Sequence, residues 1–100
     1  MDKNKFAHAL GLARRAGKLG LGHDAVKEAV RRGRARCVVF SADASQRLRG
    51  EITALSGDDV TVLHTELTTE DIAAAVGKRA AVVSVNDEGL SVLVKSAYMV

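Results

Sequence analysis

Phe6, Ala9, Leu10 and Ala13 recur every three or four residues, the spacing of a helix with one apolar face. Gly17 follows where a left-handed C-cap residue belongs, so the pattern predicts a helix over about residues 3–16 that ends on Arg14 and Arg15. A second helix is predicted from about Gly22 to Arg32, with Ala25, Val26, Ala29 and Val30 inward and Asp24, Lys27, Glu28 and Arg31 outward, stopped by Gly33. Cys37-Val38-Val39-Phe40 is a short, wholly apolar run rich in β-branched residues, which suits a strand covered on both faces. Leu48, Ile52 and Leu55 then form a helical stripe that Asp43 or Ser41 is placed to cap and Gly57 to end. Val60-Thr61-Val62-Leu63 reads as another strand. Thr68-Thr69-Glu70-Asp71 opens a short helix in the manner of a capping box, closed by Gly77. Ala80 to Val85 reads as a third buried strand. Asn86 or Asp87 caps a last helix carrying Leu90, Leu93, Val94 and Ala97. Leu19 and Leu21 suit a short extra strand.

Helix and strand alternate through most of the chain, which predicts an α/β fold: a three-layer α/β/α sandwich around a small mixed sheet of about four strands. One hundred residues, 47% of them apolar, suffice for one core, so residues 1–100 read as a single domain. No apolar stretch approaches the roughly 20 residues of a membrane span, and the charged start does not read as a signal peptide. The lone Cys37 sits in an apolar run and reads as a buried small hydrophobe; a reduced, cytoplasmic setting follows.

Charge changes the picture. Net charge is only +3, yet residues 1–50 sum to +8 and residues 51–100 to −5. A basic N-terminal half suits a polyanion, either nucleic acid or an anionic surface. Catalytic chemistry finds no support. His8, His23 and His64 have no partners at metal-ligand spacing, and Ser41, Ser45 and Ser84 lack a nucleophile elbow. Asp58-Asp59 and Asp87-Glu88 fall at element boundaries, where turns and helix starts favour acids. Gly20-Leu21-Gly22-His23-Asp24-Ala25 fits a dinucleotide-loop pattern, but no buried strand precedes it and no room is left for a substrate domain. The expectation is a non-enzyme without metal, cofactor or small-molecule substrate.

What remains is geometric. Gly20 and Gly22 open a helix whose N-terminal N–H groups suit an anion, with Arg14, Arg15, Lys18 and Lys27 nearby in sequence. Only Phe6, Phe40 and Tyr98 are aromatic, too few for base stacking, so shaped RNA read through backbone and groove is the better partner.

The blocks Gly11-Leu12-Ala13-Arg14-Arg15-Ala16-Gly17-Lys18-Leu19, Gly22, Ala29 to Ser45, Gly77-Lys78 and Ala81 to Gly89 together resemble the kink-turn-binding ribosomal protein family, the large-subunit "seven-Ae" and "thirty-e" group. The resemblance is greatest to its short bacterial ribosomal-like members. It implies the α/β/α sandwich and binding to kinked RNA helices. The start of the second helix would enter a groove beside sheared G·A pairs, and the loop after the last strand would touch bulged nucleotides. The family motif has glycine, then asparagine two residues on, glutamate three on and lysine six on. Without gaps, Gly22 matches the glycine, Asp24 replaces the asparagine, Ala25 the glutamate and Glu28 the lysine. A shift by one residue would instead put Asp24 and Lys27 at the glutamate and lysine places, at the cost of an insertion before Gly33. The residues expected at an RNA surface are Arg14, Arg15, Lys18, Gly20, Gly22, His23, Asp24, Lys27, Asn86 and Asp87. The expected partner is structured RNA, ribosomal or otherwise kinked, and through it the ribosome. The alternative is a protein-interaction module of the same fold that has lost RNA binding.

Overall fold

The computed structural model describes residues 1–100. Nine elements follow one another: α1 (Lys3–Arg15), β1 (Leu19–Leu21), α2 (His23–Arg31), β2 (Cys37–Phe40), α3 (Gln46–Ser56), β3 (Thr61–His64), α4 (Thr69–Val76), β4 (Val82–Val85) and α5 (Glu88–Met99). The sheet has four strands in the order β1-β4-β2-β3. β2 and β3 are parallel, joined through α3, while β4 runs antiparallel to both β1 and β2. The sheet is therefore mixed, as expected.

Side chains alternate across the sheet, so each buried strand feeds two cores. Cys37, Val39, Leu63, Val83 and Val85 face α1, α4 and α5 in a 15-residue cluster centred on Phe6, Leu10 and Ile72. Val38, Phe40 and Val82 face α2 and α3 in a cluster of only six, with Val26, Ala44 and Ile52. Helices on both faces complete the α/β/α sandwich, and the second layer is the thinner one.

Several expectations shift locally. Ser45, and not Asp43 or Ser41, caps α3, its hydroxyl accepting from the Leu48 N–H at 3.1 Å. Asp43 instead bonds Thr69 at the start of α4. Ala25 is exposed, because α2 turns Val26 and Ala29 inward and each step rotates a residue by about 100°. Leu55 and Leu93 also stand off their helices' buried stripes, 39% and 43% exposed, so neither belongs to the core. Of the two candidates before α5, Asp87 is the cap, accepting from Leu90 N–H at 2.9 Å. The capping box at Thr68 and Asp71 and the left-handed Gly77 form as predicted.

Strand directions fix what lies at each end of the sheet. β1, β2 and β3 finish where β4 begins, and this end carries the starts of α2, α3 and α4 with the loop 77–81. The opposite end carries the turn 16–18, the segment 32–36, and Asn86-Asp87.

Candidate nucleic-acid interface

Four of the five helices are closed at the N-terminus by a side chain: Asp2, Ser45, Thr68 and Asp87 each accept from a first-turn N–H. α2 is the exception. Its cap is Gly22, with φ at +89°, a conformation that an L side chain enters only with strain. The Gly22 N–H donates to the Val82 carbonyl at 3.0 Å and so ties the cap to β4. No side chain caps the helix, and its first turn, His23, Asp24 and Ala25, is exposed. A helix end left this way offers donors and the positive pole of the dipole to an anion.

The neighbours of this end are polar and ordered. Glu51 on α3 receives His23 Nε2 at 3.0 Å and Lys27 Nζ at 3.1 Å on one oxygen. The hydrogen bond with His23, then that from Lys27, holds the Glu51 carboxyl below the usual carboxylate range. His23, Glu51, Ser45, Arg47 and Leu48 line a depression of about 260 Å³ between the starts of α2 and α3. Arg49 clamps the loop that leads into α3. Its guanidinium donates to the carbonyls of Ser41 (2.7 Å), Ala42 (3.2 Å) and Ala44 (3.1 Å), meets His64 Nδ1 at 2.6 Å, and lies 5.6 Å from the Phe40 ring centroid. At the tip of that loop Asp43 accepts from the backbone and hydroxyl of Thr69, and Arg79 donates to the same hydroxyl at 3.3 Å. Arg49, the loop, Asp43, Thr69 and Arg79 thus form one chain of bonds. It runs across this end of the sheet to the loop 77–81, where Lys78 and Arg79 are exposed.

The residues nominated from sequence do not all meet. Gly22, His23, Asp24 and Lys27 sit together at the start of α2. Lys18, Asn86 and Asp87 sit at the other end of the sheet, where the Asn86 N–H donates to the Lys18 carbonyl at 2.8 Å. The separation follows from pairing: β1 is antiparallel to β4, so its three residues carry the chain about 13 Å from Lys18 to Gly22. The loop after β4 therefore lies away from the start of α2, and the loop before β4 lies beside it. Arg14 and Arg15 are exposed on the last turn of α1, which leads into the Lys18 end. Gly20 is buried in β1 opposite Ser84, whose hydroxyl fills the place a β-carbon would take. Its role is to seat α2 on the sheet. Asp87 spends its carboxylate on capping α5. Arg79, Arg47, Arg49 and Glu51 were not among the expected residues; Gly77-Lys78 stood in a family-like block, but its place beside α2 depended on the direction of β4.

A four-stranded mixed sheet with α2 and α3 on one face and α1, α4 and α5 on the other, opening on one uncapped helix, defines a class of small α/β/α proteins. The model of the ribosomal protein L7Ae/L30e/S12e/Gadd45 family matches residues 4–94, and the chain belongs to that family. Among solved structures, a protein of unknown function from Bacillus halodurans C is similar at 28% identity and a TM-score of 0.88, over 96% of this chain and 98% of that one. The Giardia lamblia 15.5 kD RNA-binding protein shares the fold at 16% identity and a TM-score of 0.74, over 96% of this chain and 83% of that one. No curated protein sequence matches the chain. No helix is long and apolar enough to cross a membrane.

Proposed function

We propose that this protein is a non-enzymatic RNA-binding protein that docks the start of α2 on kinked, structured RNA, ribosomal RNA being the expected source. The observation that carries the reading is the single uncapped helix start: in four helices a side chain accepts from a first-turn N–H, and α2 has no such cap and leaves these donors to a ligand. Family membership and the RNA-binding Giardia protein of the same fold support it. A cytoplasmic setting follows from a ribosomal role.

Gly22 lets a phosphate or groove edge approach the N–H groups of His23, Asp24 and Ala25. Loop 77–81 brings Lys78 and Arg79 to the same end as a second contact. Ala25 and Glu28 are both exposed, so neither is kept in place by the core. Alanine reads no base edge and Glu28 repels phosphate, so selectivity for a standard kink-turn is relaxed. The reading is tested by titrating a kinked RNA across salt concentrations with wild type and the double variant Lys78→Ala/Arg79→Ala. Log affinity falls linearly with log salt in the wild type, and the variant is weaker, with a slope shallower by about 1.5 for two lost phosphate contacts. A flat salt response in the wild type refutes the reading.

A further inference from the structure

The opposite end of the sheet gathers more cations than the candidate interface does. Arg14 and Arg15 end α1, Lys18 precedes β1, Arg31 ends α2, and Arg32, Arg34 and Arg36 lead into β2; all seven are exposed. Topology brings them together. The Lys18 carbonyl accepts from Asn86 N–H at 2.8 Å, and Arg36 N–H donates to the Val85 carbonyl at 2.8 Å. Lys18 and Arg36 therefore flank the end of β4 from its two neighbouring strands, about 10 Å apart by the spacing of a sheet. Gly33, at φ +69°, turns the chain at the end of α2, and Arg34 N–H closes the turn on the Ala29 carbonyl at 2.9 Å.

Most of these charges have no counterpart. Arg32 pairs with Glu28 on its own helix, and Arg36 reaches Glu88 at 3.8 Å. Arg14, Arg15, Lys18, Arg31 and Arg34 have no carboxylate oxygen within 4.0 Å. Arg14, Arg15 and Arg31 gain something from the helix C-termini they close, but Lys18 and Arg34 lie outside any helix. Of the remaining acids of this end, Asp87 caps α5, and Asp58 and Asp59 belong to the turn before β3, at the far edge of the sheet from β1. No aromatic residue stands among the cations, so the surface has no platform on which unpaired bases could stack, and the narrow major groove of an RNA helix keeps arginines on its phosphates.

We infer that this end is a second, sequence-independent RNA contact. It would bind the backbone phosphates of a helical segment distinct from the one at α2, so that the protein bridges two segments of one folded RNA. The inference rests on the RNA reading above. Arginine favours phosphate oxygens as ligands because its fork of donors matches them. Contacts of this kind add affinity and salt dependence while leaving selectivity to the other end.

The test uses three RNAs, a short kinked stem and the same stem lengthened by a helical turn on one arm or on the other. Wild type is compared with Arg31→Ala/Arg34→Ala and with the charge-keeping Arg31→Lys/Arg34→Lys, all at unchanged melting temperature. Expected is tighter binding of one longer RNA by wild type, tenfold or more, with a salt slope steeper by about 1.5 for two added phosphate contacts. The alanine pair loses that increment but keeps its affinity for the short stem, and the lysine pair retains most of the increment. Equal binding of all three RNAs by wild type overturns the inference and leaves the α2 contact standing. Equal loss on short and long RNAs by the alanine pair also overturns it, by placing the arginines in the first contact. Binding of none of the RNAs by wild type removes the RNA reading itself. Retention on anionic phospholipid vesicles through these arginines, without an RNA increment, assigns the surface to a membrane and overturns the inference.

Discussion

The two ends of the sheet treat charge in opposite ways. At the start of α2, most cations are held by acids and carbonyls: His23 and Lys27 by Glu51, Arg79 by Glu70 and Thr69, Arg49 by the loop before α3, with Arg47 and Lys78 left unpaired. At the far end, five of seven cations stand without a partner. One end is organised and offers backbone donors in a fixed place; the other offers loosely held charge. Geometry confers selectivity and loose charge confers salt-dependent affinity. The thin six-residue core beneath α2 and α3 fits this division, because polar bonds there do part of the ordering that apolar packing does under α1, α4 and α5.

The largest stability effect is expected where α2 meets the sheet. Gly20→Ala forces its methyl against the buried Ser84 hydroxyl and costs about 1–3 kcal/mol, read by denaturant unfolding. Ser84→Ala should recover much of that loss in the double variant, since the hydroxyl has no hydrogen-bond partner to lose. Non-additivity confirms the contact; simple additivity disproves it.

Next in size is Arg49→Met, which removes the clamp on residues 41–44. It should cost about 1–2 kcal/mol and weaken RNA binding by loosening the chain of bonds to Arg79. Arg34→Met at the other end should stay within about 0.5 kcal/mol of wild type, as exposed unpaired side chains do. Equal costs at the two positions would erase the contrast between the ends.

Glu51→Gln gives a smaller effect than Arg49→Met. It frees Lys27 and His23 for phosphate, so RNA affinity should rise about two- to fivefold, the range of an exposed ion pair. The Glu51 carboxyl is lowered in the folded protein, so the stability its ionisation adds is present above the ordinary carboxylate value of about 4.3. That stability is lost as pH falls through the folded value. Melts between pH 7 and pH 3 should therefore show less acid destabilisation in the variant than in the wild type. An unchanged acid response would mean that the pair does not persist in solution.

Much of the fold was legible because local signals agreed with burial. Phe6, Ala9, Leu10 and Ala13 form α1's buried stripe, the run Cys37–Phe40 is buried on both faces, and Thr68 with Asp71 starts α4. Ala25 and Leu93 misled because alanine and leucine one position off a stripe look the same in sequence as those on it. The site was legible only in part. Gly22 and its helix start were visible, but the direction of β4 is set by long-range pairing that no local pattern encodes. That direction alone moved Asn86 and Asp87 to the far end and brought Lys78 and Arg79 to the near one. Gly20, a glycine in a phosphate-loop-like pattern, is a packing residue for the same long-range reason.

The central claim is that the uncapped start of α2 meets RNA, and backbone amide signals report this directly. A kinked RNA is titrated into isotope-labelled protein while the amides of His23, Asp24 and Ala25 are followed by NMR. These three, with Lys78 and Arg79, are expected to move saturably and in step with the measured affinity, while the amides of Val92 and Leu93 on the outer face of α5 stay still. Saturable RNA binding that leaves the three α2 amides unmoved would contradict the claim.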